Sequence, residues 1–175
     1  MILHIIRHPK STPADDTTAD DQRTVTPGGR KQLNGTLKAY DEAGEMDPDV
    51  IFAAPEVRSQ TGATMVASRF GLTPSDIIDA PALSPDGDAQ AAWDQIRDWL
   101  KKQDDPDNAE VVAIGSNPAL SNLFQLVHGL GTEEGESGSV KLKKGSVAKL
   151  KIYDPTGDNP TSELRSYLPP GLARG

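Results

Sequence analysis

Arg7 and His8 are adjacent residues whose side chains could together carry out phosphoryl chemistry. A neutral imidazole is a nucleophile that can accept a phosphoryl group. A neighbouring guanidinium carries a permanent charge and a forked set of donors that fits phosphate oxygens. The pair follows an apolar run, Ile2 to Ile6, that has the pattern of a buried strand. A strand-end pair making ordinary surface contacts is the alternative, because so short a motif is weakly specific.

Strand-like apolar runs alternate with helix-like patterns along the chain, which predicts an α/β fold with a mainly parallel sheet. In such a sheet ligands bind beyond the carboxyl ends of the strands, where His8 is expected to lie. Neither an internal repeat nor a domain-length linker interrupts the pattern. Residues 1–175 are therefore predicted to form a single domain.

Apolar spacing and capping residues predict the elements that must position this pair. The expected helices cover residues 27–43, 56–70, 88–100 and 118–130. The expected strands cover residues 2–6, 49–53, 77–78 and 110–114. Residues 140–142 and 147–153 alternate around Lys144 and Gly145, which predicts a hairpin or an edge pair. Residues 9–25 are polar and acidic and are predicted to form a long surface loop.

The composition excludes several classes of function. The chain has 26 Asp and Glu against 18 Lys and Arg, a net charge of -8, which opposes general binding of nucleic acid or anionic membranes. A small pocket with locally positive walls remains compatible with that charge. The absence of cysteine excludes disulfides and thiolate metal sites and suits the cytoplasm. We therefore expect a cytoplasmic domain with no metal, no nucleic-acid partner and no membrane segment; the oligomeric state stays open.

Five segments, in order along nearly the whole chain, resemble the histidine phosphatase superfamily, also called phosphoglycerate mutase-like. IRHPKS at 6–11 is similar to its Arg-His-Gly opening, TPGGRKQL at 26–33 to its Leu-Thr-x-x-Gly-x-x-Gln-Ala helix start, and APEVRS at 54–59 to its Ser-Pro-x-x-Arg-Ala element. LSPDGD at 83–88 and IGSNPALS at 114–121 are similar to Leu-Thr-Pro-x-Gly-Asp and Val-Gly-His-x-Pro-x-Leu-Ser of the SixA-like phosphohistidine phosphatases. The resemblance implies a three-layer α/β/α sandwich.

The resemblance also implies a mechanism. His8 would attack a phosphoryl group and form a phosphohistidine, which water then hydrolyses. Arg7 and Arg58 would hold the phosphate and neutralise charge in the transition state. The further phosphate-binding residues would be Ser11, Ser116 and Asn117. No cofactor is implied, and the partner would be a phosphorylated small molecule or a phosphohistidine protein.

Three departures from the family pattern bear on activity. Ser116 stands where the family has its second histidine; by analogy with a lost oxyanion donor, the rate would fall about 10²–10³-fold, or about 3–4 kcal/mol. Ala82 stands where related chains carry a glutamate, so the general acid is unidentified. Asp86 and Asp88 are the nearby acids, but both are expected to be solvated. Pro9 replaces a glycine and removes one backbone N–H.

Two functions therefore stay open. The first is a phosphatase that hydrolyses phosphohistidine or a small phosphomonoester through phospho-His8, slowed by the missing histidine. The second is a catalytically disabled phospho-ligand-binding or interaction protein on the same fold. A separate group of lysines is interpreted as the solvated face of an edge strand, with a functional basic patch as the alternative; its members are Lys141, Lys143, Lys144, Lys149 and Lys151.

Overall fold

The computed structural model describes residues 1–129, 141–157 and 160–171. The strands are β1 (Ile2–Arg7), β2 (Val50–Ala53), β3 (Ile77–Asp79), β4 (Glu110–Gly115), β5 (Val147–Tyr153) and β6 (Thr161–Leu168). The helices are α1 (Pro27–Glu42), α2 (Val57–Phe70), α3 (Ala89–Leu100) and α4 (Ala119–His128). Short 3-10 helices cover Asp20–Gln22, Pro74–Asp76 and Pro81–Leu83. Within these ranges every helix is too short or too polar to cross a membrane.

The six strands form one sheet in the order β3-β2-β4-β1-β5-β6. The first four are parallel, and β5 and β6 are antiparallel to their neighbours. Helices α1 and α2 cover one face, with a core that includes Leu33, Leu37 and Val66. Helices α3 and α4 cover the other face, with a core that includes Trp93 and Leu123. The predicted three-layer α/β/α sandwich with a mainly parallel sheet is confirmed.

The helices begin and end at residues that the sequence marks. Thr26 caps α1, and its Oγ1 accepts a hydrogen bond from the backbone N–H of Gly29 at 3.0 Å. Asp88 caps α3 in the same way through its carboxylate. Gly71 ends α2 with a φ of +76°, a conformation that glycine adopts without strain. Local capping therefore accounts for most of the correctly predicted helix bounds.

The predicted hairpin at 140–142 and 147–153 is wrong in its pairing. The turn at Lys144 and Gly145 is present, but β5 pairs with β1 and with β6, a strand that the sequence analysis did not predict. Hydrophobic periodicity does not predict β6, because its side chains are exposed or half-buried throughout and no face of the strand is buried. Since β5 lies inside the sheet, the edge-strand interpretation of the lysines is wrong as well. Leu130 at the end of the last predicted helix and Val140 at the start of the predicted pair lie outside the described residues.

The sheet creates a crevice at the carboxyl ends of β1 and β4. These strands are adjacent and parallel, with Arg7 opposite Gly115. The chain leaves β1 towards α1 on one face and leaves β4 towards α4 on the other. Such a divergence opens a gap between the two connections, where ligands of open α/β sheets bind. His8 follows β1 and Ser116 follows β4, so both residues lie at this gap.

Candidate functional site

His8 is held at the end of β1 by both its backbone and its ring. Its backbone N–H donates to the carbonyl oxygen of Gly115 at 3.0 Å. Its side chain is buried, and Nδ1 lies 2.8 Å from the carbonyl oxygen of Pro9. A carbonyl only accepts hydrogen bonds, so Nδ1 carries the proton in this contact. In the neutral ring, Nε2 is therefore the nitrogen with a free lone pair.

The surroundings of His8 favour its neutral form. Burial lowers the pKa of His8 to about 4, and the nearby positive charges of Arg58, Lys144 and Arg7 act in the same direction. The hydrogen bond to the Pro9 carbonyl raises the pKa and offsets part of this effect. At neutral pH the imidazole is thus uncharged, which is the form that can act as a nucleophile.

Arg58 brings a buried positive charge to the site from the first turn of α2. Its guanidinium donates to the backbone carbonyl of Asp20 and, through Nη2, to the Asp20 carboxylate at 2.8 Å. The Asp20 side chain is largely exposed, whereas that of Arg58 is buried. The hydrogen bond from Arg58 lowers the pKa of Asp20, so the carboxylate is ionised. The loop that follows β1 therefore fixes the orientation of Arg58.

Arg7 and Asn117 meet at one backbone carbonyl. Arg7 Nη1 donates to the carbonyl oxygen of Leu142 at 2.8 Å, and Asn117 Nδ2 lies 3.5 Å from the same oxygen. Burial lowers the pKa of Arg7, and the guanidinium still carries its charge at neutral pH. The segment before β5 thus joins Arg7, which ends β1, to Asn117 in the short connection between β4 and α4.

Ser116 lies in a close contact between β4 and the chain after β3. Its backbone N–H donates to the carbonyl oxygen of Leu83 at 3.0 Å. Gly115 is required beside it, since a Cβ there would lie 2.3 Å from the same oxygen. Ser116 Oγ is buried and has no hydrogen-bond partner among the described residues. A buried hydroxyl without a partner is uncommon in a native protein and is free to bind a ligand.

Ser11 differs from the other predicted phosphate ligands because its hydroxyl already has a partner. Ser11 Oγ accepts a hydrogen bond from Arg23 Nη2 at 2.9 Å. Arg23 also binds the Asp20 carboxylate at 3.0 Å. Ser11 is therefore connected to Arg58 through two intervening side chains.

Asp20, Arg23 and Lys144 belong to this group as well, and none of them was among the site residues predicted from the sequence. In the acidic loop at 9–25, side chains facing solvent and side chains facing inward have the same appearance in sequence. One signal was available, because Arg23 is the only basic residue between Ser11 and Arg30. A lone arginine three residues after an aspartate, in an otherwise acidic segment, indicates a specific contact.

Asp88 and the two other histidines of the chain, His4 and His128, are bound elsewhere. Asp88 is used as the cap of α3. His4 is fully buried, and its Nε2 lies 2.7 Å from the Glu110 carboxylate. His128 Nδ1 lies 2.9 Å from the Ser162 hydroxyl at the end of α4. Neither histidine takes the place that the family pattern gives to Ser116.

The fold matches those of solved phosphatases at low sequence identity, whereas no protein-family model and no curated protein matches the chain. Similar structures include the protein histidine phosphatase SixA complexed with tungstate (18% identity, 97% of each chain, TM-score 0.76). They also include the putative phosphohistidine phosphatase SixA from Agrobacterium tumefaciens (15% identity, 97% of this chain and 98% of that one, TM-score 0.71). A mycobacterial glucosyl-3-phosphoglycerate phosphatase matches too (13% identity, 97% and 99%, TM-score 0.71). The predicted phosphoglycerate mutase-like fold is confirmed.

Proposed function

We propose that this protein is a phosphatase of the histidine phosphatase type that hydrolyses phosphohistidine or a small phosphomonoester through a phospho-His8 intermediate. The observation that carries this proposal is the buried ring of His8, whose Nδ1–H is bound by the Pro9 carbonyl beside several positive charges. Two structural neighbours are a protein histidine phosphatase and a glucosyl-3-phosphoglycerate phosphatase, and the first was solved with tungstate, an oxyanion like phosphate. They support the reaction type.

The reaction has two displacements at phosphorus. In the first, the Nε2 lone pair of His8 forms an N–P bond while the bond to the leaving group breaks, and the leaving group departs with that electron pair. In the second, a water oxygen attacks phosphorus and releases a proton to solvent, the N–P bond breaks, and the imidazole recovers its lone pair. The guanidinium groups of Arg7 and Arg58 stabilise the negative charge on the phosphoryl oxygens in both steps. The Pro9 carbonyl stabilises the positive charge that the ring gains.

The leaving group decides how much the missing residues matter. Ala82 cannot donate a proton, and the carboxylate of Asp88 is bound at the start of α3. An alkoxide leaving group needs protonation in the transition state, because its oxygen is strongly basic. The imidazole of a phosphohistidine leaves readily once it is protonated. The site therefore favours phosphohistidine or a phosphate ester of an acidic alcohol.

Hydrolysis of p-nitrophenyl phosphate, whose leaving group needs no general acid, tests the proposal directly. We expect measurable turnover by the wild type and none above background by His8→Ala. His128→Ala is the matched control, since His128 is bound to Ser162 and takes no part in the site. Equal residual rates for wild type and His8→Ala would remove the enzymatic proposal.

A catalytically disabled phosphate-binding protein is the second candidate, because Ser116 stands where the family has a histidine. Under this alternative the arginines still bind an anion, but the phosphoryl group is not transferred. Phosphate would then raise the melting temperature in an Arg58-dependent manner, while His8→Ala would leave the background rate unchanged. The effect of His8→Ala on the rate separates the alternative from the phosphatase, since both bind phosphate through Arg58.

A further inference from the structure

A surface cavity of about 560 Å³ lies beside the predicted phosphate site. Its lining contains four cationic side chains, while the other lining residues are uncharged; the four are Lys10, Arg23, Lys143 and Lys144. The predicted phosphate ligand Ser11 lines the cavity, and Arg23, which binds Ser11, also binds the Asp20 carboxylate that holds Arg58. We call this cavity the lysine cavity.

The charge of the lysine cavity is largely uncompensated. Arg23 is paired with Asp20, but no described acidic residue forms an ion pair with Lys10, Lys143 or Lys144. Burial lowers the pKa of Lys144, and the positive charges of Arg7, Arg23 and Arg58 lower it further. Like charges that lie close together repel one another, which is unfavourable in the free protein. An anionic ligand would relieve this repulsion, so a cationic cluster in a chain with a net charge of -8 favours binding of an anion.

The lysines are fixed to the same backbone as the phosphate site. Lys10 follows His8 by two residues, so their Cα atoms are at most about 7 Å apart. On the other side, the backbone N–H of Gly145, next to Lys144, donates to the carbonyl oxygens of Arg7 at 2.9 Å and His8 at 3.2 Å. A group bound by the lysines is therefore within the reach of a small molecule that places its phosphoryl group at His8.

We propose that the lysine cavity is a second anion subsite, which binds an additional phosphate or carboxylate group of a small phosphorylated substrate. This inference rests on the proposed function, since the first phosphoryl group of that substrate is the one transferred to His8. The volume of the cavity lies in the range of small-molecule sites, about 300–1,000 Å³. The preferred substrate is thus a compound with two anionic groups, and a simple monoester is bound less tightly.

Calorimetric binding at low ionic strength tests the subsite without requiring turnover. Tripolyphosphate is compared with inorganic phosphate on the wild type, on Lys10→Gln/Lys143→Gln and on Lys101→Gln/Lys102→Gln. The last pair is the matched control: it removes the same charge just after α3, next to the turn that leads to the amino end of β4. We expect the ratio of tripolyphosphate to phosphate affinity to fall about 3- to 20-fold in the first pair only.

Each possible result has a distinct meaning. An equal fall in both variant pairs, or no fall in either, overturns the second subsite. An equal loss of affinity for phosphate and tripolyphosphate in Lys10→Gln/Lys143→Gln also overturns it, because the lysines would then bind the first phosphoryl group. Unchanged phosphate affinity in Arg58→Gln overturns the phosphate site of the proposed function instead, whatever the lysine variants do.

Discussion

The ring of His8 owes its neutral state to its surroundings. Since burial lowers the pKa of His8 to about 4, whereas an ordinary histidine titrates near 6.5, the ring should stay neutral as the pH falls from 7 to 5. Nitrogen NMR of the imidazole measures this midpoint, and it also shows which nitrogen is protonated. We expect Nδ1 to carry the proton. A midpoint near 6.5, or a proton on Nε2, would contradict the described geometry.

The same pKa shift makes the fold sensitive to acid. Between pH 6.5 and about 4 the unfolded chain binds a proton at His8 that the folded protein does not, so the free energy of unfolding falls as the pH drops through this window. The loss from pH 7 to 4.5 amounts to about 2–3 kcal/mol. Denaturant unfolding of His8→Gln should show a correspondingly smaller loss over the same range. Equal losses in both proteins would refute this account.

Replacing Ser116 with histidine should increase the activity. Its Oγ is buried without a described partner, and a histidine there would supply the donor found at this point of the family pattern. We expect Ser116→His to raise kcat for p-nitrophenyl phosphate about 10- to 10³-fold, following the contribution of one oxyanion donor. The double variant with His8→Ala should stay inactive. No gain in Ser116→His would mean that the site has diverged at other residues.

At the scale of elements, the first turn of α1 contacts the loop that follows His8. A Cβ at Gly29 would lie 2.2 Å from the carbonyl oxygen of Lys10, whereas a Cβ at Gly28 meets no atom within 4 Å. Gly29→Ala should therefore destabilise the protein by about 1–3 kcal/mol. Gly28→Ala should be neutral or stabilise it by up to about 1 kcal/mol, because alanine favours the helix. Thermal unfolding of the two variants measures the difference, and similar melting temperatures would contradict it.

The elements differ in how far the sequence predicts them. α1 and α3 are marked by caps that act locally, and β1 and β4 by apolar runs, so local rules suffice there. The strand β6 has no such mark, because its pairing with β5 depends on the whole sheet.

In the candidate site too, some features were predicted from the sequence and others depend on contacts between distant residues. The strand-end pair pointed to His8 and the family resemblance implied Arg58. The contact between Asp20 and Arg58, however, joins residues 38 positions apart, and Asp20 lies in a loop that resembles a solvated one. No periodic pattern in the sequence encodes a contact of that kind. The roles of the predicted site residues remain predictions for the experiments above.

At the scale of the whole molecule, ligand binding should be coupled to stability. An anion that binds only the folded protein raises the free energy of unfolding by about 2.7 kcal/mol at a concentration of 100 Kd. We expect phosphate to raise the melting temperature of the wild type and of Arg165→Ala, whose arginine lies on the exposed strand β6. Arg58→Ala should lose this rise. If phosphate raised the melting temperature of Arg58→Ala by the same amount, the anion would bind at a place away from α2.

The position of β1 has a consequence for the order in which the molecule assembles during synthesis. Ile2 pairs with Glu110 on one side and with Lys151 on the other. At about 5–20 residues per second, a ribosome needs roughly 8–30 s to reach the second of these partners. Neither edge of β1 can be covered before β4 is made, and one edge stays open until β5 is made, a state prone to aggregation. The histidine at the end of that segment gains its surroundings only after the turn at Gly145 and strand β5 have been synthesised.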